Sequence, residues 1–427
     1  MNMKKINSTL KEVLKNSKPD LEEVKETEKE VREFIRKIEI KIKSLKLGAE
    51  VFVGGSFAKG TMIKKNVYDI DVFIRFDMKY ADKISSMTER ILKGFKKKKV
   101  HGSRDYFKIT NKKNSFFFEV VPVLKIKNPR EAKNITDLSF FHVNYARKKL
   151  KKNMLDEIIL AKTFCHAINC YGAESYIKGF SGYALELFIV HYKDFLKFIR
   201  EMAKLNIKEK KVIDMEKKFK SKQEVLMNMN SSKLQSPIIL VDPTYKERNV
   251  LASLSEETFL KFQKACKDFL KKPGSRFFEK KEINFERAKK DAKKKKLDFV
   301  MIRLETEKQE GDIAGSKLLK FYNHINDEIS KLFIIKNKEF EYNEGKDAVT
   351  YFTAKKKRKI ISQGPKIGDE KNVQKFKKTH GKTFTKSGRI YSEKKIKINL
   401  GKFLENWNRK NKKKMKEMSV KKLEIIG

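Results

Sequence analysis

Apolar residues recur at helical spacing through Leu21, Val24, Val31, Phe34, Ile35, Ile38, Ile42 and Leu45, with one wider gap after Val24. That spacing gathers them on one helix face. With Pro19 and Asp20 marking a new start, residues 6 to 46 read as two helices expected to pack on the sheet that follows. The period then changes. Val51 to Val53, Val67 to Ile74, Phe107 to Ile109 and Phe116 to Ile126 read as strands, with a helix near Tyr80 to Phe95 and a basic connection at Lys96 to Lys99. From Asp137 the pattern turns helical: Asp137 to Leu150, Met154 to Asn169, and a long apolar helix starting near Ser181, which reads as its N-cap. A polar segment around Lys217 to Ser236 precedes a short strand that runs through Asp242 and Pro243 into a turn, then a helix capped near Ser255. Beyond Lys272 the pattern predicts strands at Phe299 to Glu305, Phe340 to Tyr342 and Val349 to Phe352, an intervening helix, a basic glycine-punctuated stretch from Gly364 to Glu393, and a short helix around Leu400 to Trp407.

The chemistry sits at the first change of period. In VGGSFAKGTMIKKNVYDIDVFI, a strand over Val67 to Ile74 places Asp69 and Asp71 on one face while Ile70, Val72 and Ile74 point into the core. Gly54 and Gly55 allow a tight turn and close backbone approach to a ligand. Ser56 can then offer its hydroxyl and nearby N–H groups to phosphate, particularly if Phe57 onward begins a helix. Glu119 interrupts the apolar FFFEVVPVLKI, which makes it the best-placed third carboxylate for a two-metal site. Each of these signals has an ordinary reading as a loop or a solvated strand face. Their ordered combination points to a nucleoside triphosphate held against magnesium.

Composition widens the picture. Of 427 residues, 102 are Lys or Arg and 55 Asp or Glu, a formal net charge of +47, and 39% hydrophobic content still permits cores. Such an excess implies a polyanionic partner, and charge alone admits DNA, RNA or an anionic membrane. The runs Lys289 to Lys296 and Lys410 to Lys416 also read as solvated surface. Cys165, Cys170 and Cys266 form no paired framework or zinc spacing, which suits a reducing cytoplasm. No apolar run reaches spanning length, and the N-terminal stretch lacks a signal-peptide core. Trp407 reads as a packing residue.

In order, GGSFAKGT (54 to 61), DIDVF (69 to 73), FEVVP (118 to 122), LAKTF (160 to 164), YGAESYIKGFSGYALELFIVHY (171 to 192) and VDPTYKERNVLASLS (241 to 255) resemble the archaeal-type, class I CCA-adding enzymes, tRNA nucleotidyltransferases of the polymerase-β-like superfamily. The resemblance is strong over residues 1 to 270 and weak beyond. It implies an α+β multidomain fold: a nucleotidyltransferase head with N-terminal helices (1–136), a helical neck for nucleotide recognition (137–270), and a basic, tRNA-binding α/β body and tail (271–427). It also implies a cytoplasmic enzyme, active as a homodimer with no membrane or DNA partner, that restores the tRNA 3′-terminal CCA without a template. CTP and ATP are the substrates, pyrophosphate is released, and two Mg2+ ions sit on Asp69, Asp71 and Glu119. Gly55, Ser56, Lys59, His142, Lys162 and Tyr171 resemble nucleotide-binding positions, and Arg248 the arginine that helps read the incoming base. The family often has glutamate at the first carboxylate and aspartate at the third, so this chain departs at both. Read from the residues alone, His142 could equally be structural, Lys162 could snorkel, and Arg248 could pair with Asp242 to hold a turn. A poly(A)- or oligoadenylate-type transferase and a non-catalytic RNA-binding relative stay open as alternatives.

Overall fold

The computed structural model describes residues 3–111, 116–280 and 283–426. It divides into two compact units, Met1–Lys281 and Glu282–Gly427. The first opens with helices α1 (Met3–Ser17) and α2 (Leu21–Ser44). Asp20 caps α2 by accepting from the Glu22 and Glu23 amides, so the Pro19-Asp20 break falls where the pattern places it. The two helices part company there. Val31, Phe34, Ile38 and Ile42 of α2 pack on the sheet, with Phe34 stacked 3.9 Å from Phe118. Ile6, Leu10 and Val13 of α1 join the helical core instead, correcting the expectation that both would cover the sheet.

That sheet is mixed, in the order β1 (Ala49–Val53), β2 (Tyr68–Phe76), β5 (Phe116–Leu124), β4 (Tyr106–Thr110), β3 (Lys98–Val100). The basic connection at Lys96 to Lys99 therefore includes part of an edge strand. Short helix α3 (Gly55–Lys59) follows β1, and α4 (Ile84–Ile91) crosses from β2. β2 and β5 run parallel, antiparallel neighbours flank them, and Ile70, Val72 and Ile74 are fully buried.

Helices α5 (Ser139–Lys149), α6 (Lys152–Ala167), α7 (Gly182–Tyr192) and α8 (Phe195–Lys204) follow. The long apolar helix expected from Ser181 is two helices: Lys193 takes a positive φ of 77° and Asp194 caps α8. Strand β6 (Lys211–Ile213) pairs with β7 (Ile238–Leu240), and α9 (Lys222–Asn228) forms inside the polar segment. Helix α10 (Glu256–Lys271), capped by Ser255, closes a core rich in phenylalanine that Phe278 completes.

The second unit sets α11 (Phe285–Lys294) before β8 (Asp298–Glu305), then α12 (Asp312–Leu332), β9 (Phe333–Tyr342) and β10 (Asp347–Lys356). Next come β11 (Lys359–Lys366), α13 (Glu370–His380), β12 (Thr383–Lys386) and β13 (Arg389–Lys395), then α14 (Leu400–Lys410), α15 (Lys412–Glu417) and β14 (Lys422–Ile425). Its sheets are ordered β14-β8-β10-β9 and β11-β13-β12. Trp407 is buried against Phe321, a packing residue as read. Lys289, Lys290 and Lys293 to Lys296 are exposed.

Candidate active site

The Gly-Gly-Ser turn is tied to the strand that carries the carboxylates. The Gly54 amide donates to the Asp71 carbonyl at 2.9 Å. Gly55 has a φ of +61°, and a Cβ there would meet Asp71 Oδ2 at 1.7 Å. Both facts require glycine, because an L side chain is strained at that φ and has no room. Ser56 and Lys59 lie on the single turn of helix that follows, Ser56 half-buried and the Lys59 side chain buried.

Parallel pairing sets Asp71 directly beside Glu119 and Asp69 beside Phe117. Asp69, Asp71 and Glu119 therefore share the face opposite Ile70 and Val72. Lysines neighbour two of them: Lys65 bonds Asp69 at 2.9 Å, and Lys108, opposite Glu119 on β4, pairs with it at 3.1 Å. Burial disfavours the charge on Asp69, but Lys65 holds it below the usual range. Asp71 is pushed up to about 7, first by burial and then by the charges of Glu119 and Asp69. Among the described residues no three His, Cys, Asp or Glu side chains already enclose an ion-sized site. The donor set nevertheless fits magnesium: oxygen ligands only, on one sheet face, with negative charge crowded enough to drive one carboxyl toward protonation.

A second cluster joins α3 to α6 and α7. Lys59 Nζ lies 2.6 Å from Glu186 Oε2, and Lys162 Nζ lies 3.1 Å from Glu186 Oε1. Tyr171 stacks on His166 at 3.9 Å between ring centroids. Burial pushes its phenol up, aided by the charges of Glu186, Asp69 and Asp71.

A third cluster forms where the VDPTYKERN turn meets α5 and α7. Asp242, with no exposed surface, accepts from the Thr244 amide at 2.8 Å and its hydroxyl at 2.7 Å, which tightens the turn. The turn returns Arg248 over the same carboxylate, Nη1 to Oδ2 at 2.6 Å. His142 Nε2 lies 2.9 Å from Oδ2, and Tyr183 donates to Oδ1 at 3.3 Å while stacking on His142. Burial favours neutral Asp242, but bonds and charge from His142 and Arg248 hold it well below the carboxylate range. Burial lowers His142, against the pull of Asp242.

The sequence-predicted residues thus assemble as Asp69, Asp71 and Glu119 on the sheet with Gly55 and Ser56 on α3 beside β2, Lys59, Lys162 and Tyr171 around Glu186, and His142 and Arg248 around Asp242. Lys59 links them: its charge acts on Asp71, Lys162 and His142. Glu186 and Tyr183 escaped the sequence reading, and Asp242 entered it only as a turn partner. A lone acid in the apolar GYALELFIVHY is the same signal that singled out Glu119, and it identifies Glu186.

A family described as "Nucleotidyltransferase domain" matches residues 35–138, and one described as "tRNA nucleotidyltransferase, second domain" matches 156–279. The chain is 42% identical to the CCA-adding enzyme of Nanoarchaeum equitans over 213 residues, which are 49% of this chain and 52% of that one. It is 27% identical to that of Methanocaldococcus jannaschii over 91% of this chain and 87% of that one. With the enzyme of Saccharolobus solfataricus it shares 30% identity, over 74% and 70% respectively. A solved cytoplasmic RNA terminal U-transferase superposes with a TM-score of 0.51 over 66% of this chain and all of that one, at 18% identity, a likeness of fold. Two matched domains that meet within one compact unit, and a common identity running through most of the Saccharolobus enzyme, place this chain in the family of archaeal CCA-adding enzymes, polymerase-β-like nucleotidyltransferases.

Proposed function

We propose that the protein adds and repairs the 3′-terminal CCA of tRNA, using CTP and ATP without a template and releasing pyrophosphate. The observation that carries this reading is the pairing of Asp71 with Glu119 while the Gly55 backbone packs on the Asp71 carboxylate. It puts the glycine turn and the acidic face in contact. Asp69, Asp71 and Glu119 hold magnesium, which when bound supplies positive charge for the triphosphate and acidifies the attacking 3′-hydroxyl. Ser56 and Lys59 bind triphosphate oxygens, and Lys162 and Tyr171 border the same space. Arg248, aimed by Asp242, presents a fixed fork of donors to the base edge, which a lysine does poorly. His142 and Tyr183 brace that fork from the side.

The second unit receives the tRNA acceptor stem. Exposed Lys371, Lys375, Lys377 and Lys378 on α13, with the α11 lysines, offer phosphate contacts. A-form RNA favours such shape and backbone recognition, because its deep major groove is closed to side chains. The head, neck and tail roles over 1–136, 137–270 and 271–427, and assembly as a cytoplasmic homodimer, belong to the same reading. Incubating tRNA that lacks its end with CTP, ATP or both, and sequencing the product, tests it. Two cytidines with CTP alone and a completed CCA with both are expected. A long adenylate tail indicates the poly(A)-type alternative, and no product in magnesium rejects the assignment.

A further inference from the structure

Glu186 stands in mid-α7 with its side chain 1% exposed, among Leu185, Leu187 and Phe188, where a charge is costly unless paired. Its partners are the two lysines expected near the triphosphate. Lys162, 3% exposed, bonds the Thr61 carbonyl at 3.1 Å, the Thr61 hydroxyl at 2.8 Å and Glu186 Oε1 at 3.1 Å. The Thr61 hydroxyl donates onward to Oε1 at 3.0 Å. Lys59, 8% exposed, takes the other oxygen. Two ammonium groups against one carboxylate leave one net positive charge.

We propose that Glu186 is a positioning residue for nucleotide binding, holding Lys59 and Lys162 convergent and protonated so that they meet the triphosphate as cations. The inference rests on the nucleotidyltransferase reading. Burial lowers the Lys162 ammonium below its ordinary range, and Glu186 is the principal group opposing the loss of its proton. Lys59 on α3 and Lys65 beyond it act in the opposite direction. His166 lies one turn along α6, and the Tyr171 hydroxyl and Lys162 Nζ both crowd Gly182. None of these can replace the carboxylate. Without it, Lys162 sits neutral among cations, and triphosphate binding has to take up a proton.

Calorimetric binding of CTP with magnesium to the full chain, without RNA, from pH 7.5 to 9 in buffers of different ionisation enthalpy, reads this directly. The wild type sets the baseline, which includes the protons that magnesium displaces from Asp71. Glu186→Gln should take up close to one proton per nucleotide more than that baseline, with Kd rising toward 10-fold per pH unit. A weakening that does not vary with pH and carries no proton uptake beyond the baseline would make Glu186 a packing residue and overturn the proposal. Should Glu186→Gln fail to fold, the double variant Glu186→Gln, Lys162→Met decides, since removing both buried charges together is tolerated better than removing one. Raised, pH-independent Kd is expected there, and wild-type Kd overturns the proposal. A wild-type protein that binds no nucleotide rejects the nucleotidyltransferase reading and this inference with it, whereas binding with unaltered proton linkage in Glu186→Gln rejects the inference alone.

Discussion

Asp71→Asn should make the metal-free protein more stable at pH 8 while abolishing nucleotide addition. In the folded chain the carboxyl rises from 3.8 to about 7, driven by burial and by the neighbouring charges of Glu119 and Asp69. A folded pKa above the unfolded one means that the folded state binds the proton more tightly. Stability therefore falls as pH rises from about 4 to about 7 and stays reduced above that window. The full rise corresponds to about 4 kcal/mol. Asp71 as a whole residue keeps partial solvent access, and screening lowers the expected gain to about 2 kcal/mol. Asparagine keeps the shape and removes the charge, so the gain should appear at pH 8 and vanish near pH 4. Urea unfolding with a chelator present at both pH values measures it. Magnesium should then stabilise the wild type and leave the variant unchanged, because ligand binding to the folded state adds stability only where the site is intact. An Asn variant less stable than wild type at pH 8 without metal would refute the picture of three crowded carboxylates.

Gly55→Ala should cost about 1–3 kcal/mol of stability from its positive φ and displace the Asp71 carboxylate, so loss of activity should exceed the loss of fold; equal activity and thermal midpoint would count against the close contact. Glu119→Gln should lower single-nucleotide addition on the order of 100-fold, since even outer-shell changes at metal sites cost 10–100-fold, whereas Glu119→Asp should retain more because it keeps the charge with a reach one methylene shorter; a wild-type rate for the Gln variant would require another third ligand. Asp242→Ala leaves Arg248 and His142 without their shared partner and should destabilise by about 3 kcal/mol or more, with selectivity among CTP, ATP, UTP and GTP relaxed; intact selectivity in the folded variant would detach Asp242 from base reading.

Alternation alone placed Asp69 and Asp71 opposite Ile70 and Val72, because a strand's side chains follow its backbone period whatever surrounds it. Local capping chemistry likewise made Asp20, Ser181 and Ser255 legible as helix starts, since each satisfies amides of its own first turn. The isolated Glu119 could be suspected from its apolar neighbours. Its position beside Asp71 could not, because that rests on parallel pairing of strands separated by a helix and two further strands. Tertiary structure also sent α1 and α2 to different cores, whereas the break after Ser181 is local, with Lys193 at a positive φ and Asp194 capping α8. Most of all, it decided the partners of the charged groups. Lys59 and Glu186 lie 127 residues apart, and His142 and Asp242 lie 100 apart. Periodicity reports only which face a residue occupies. Whether a buried lysine keeps its proton, or an arginine keeps its aim, depends on the counter-charge that folding brings to within about 3 Å.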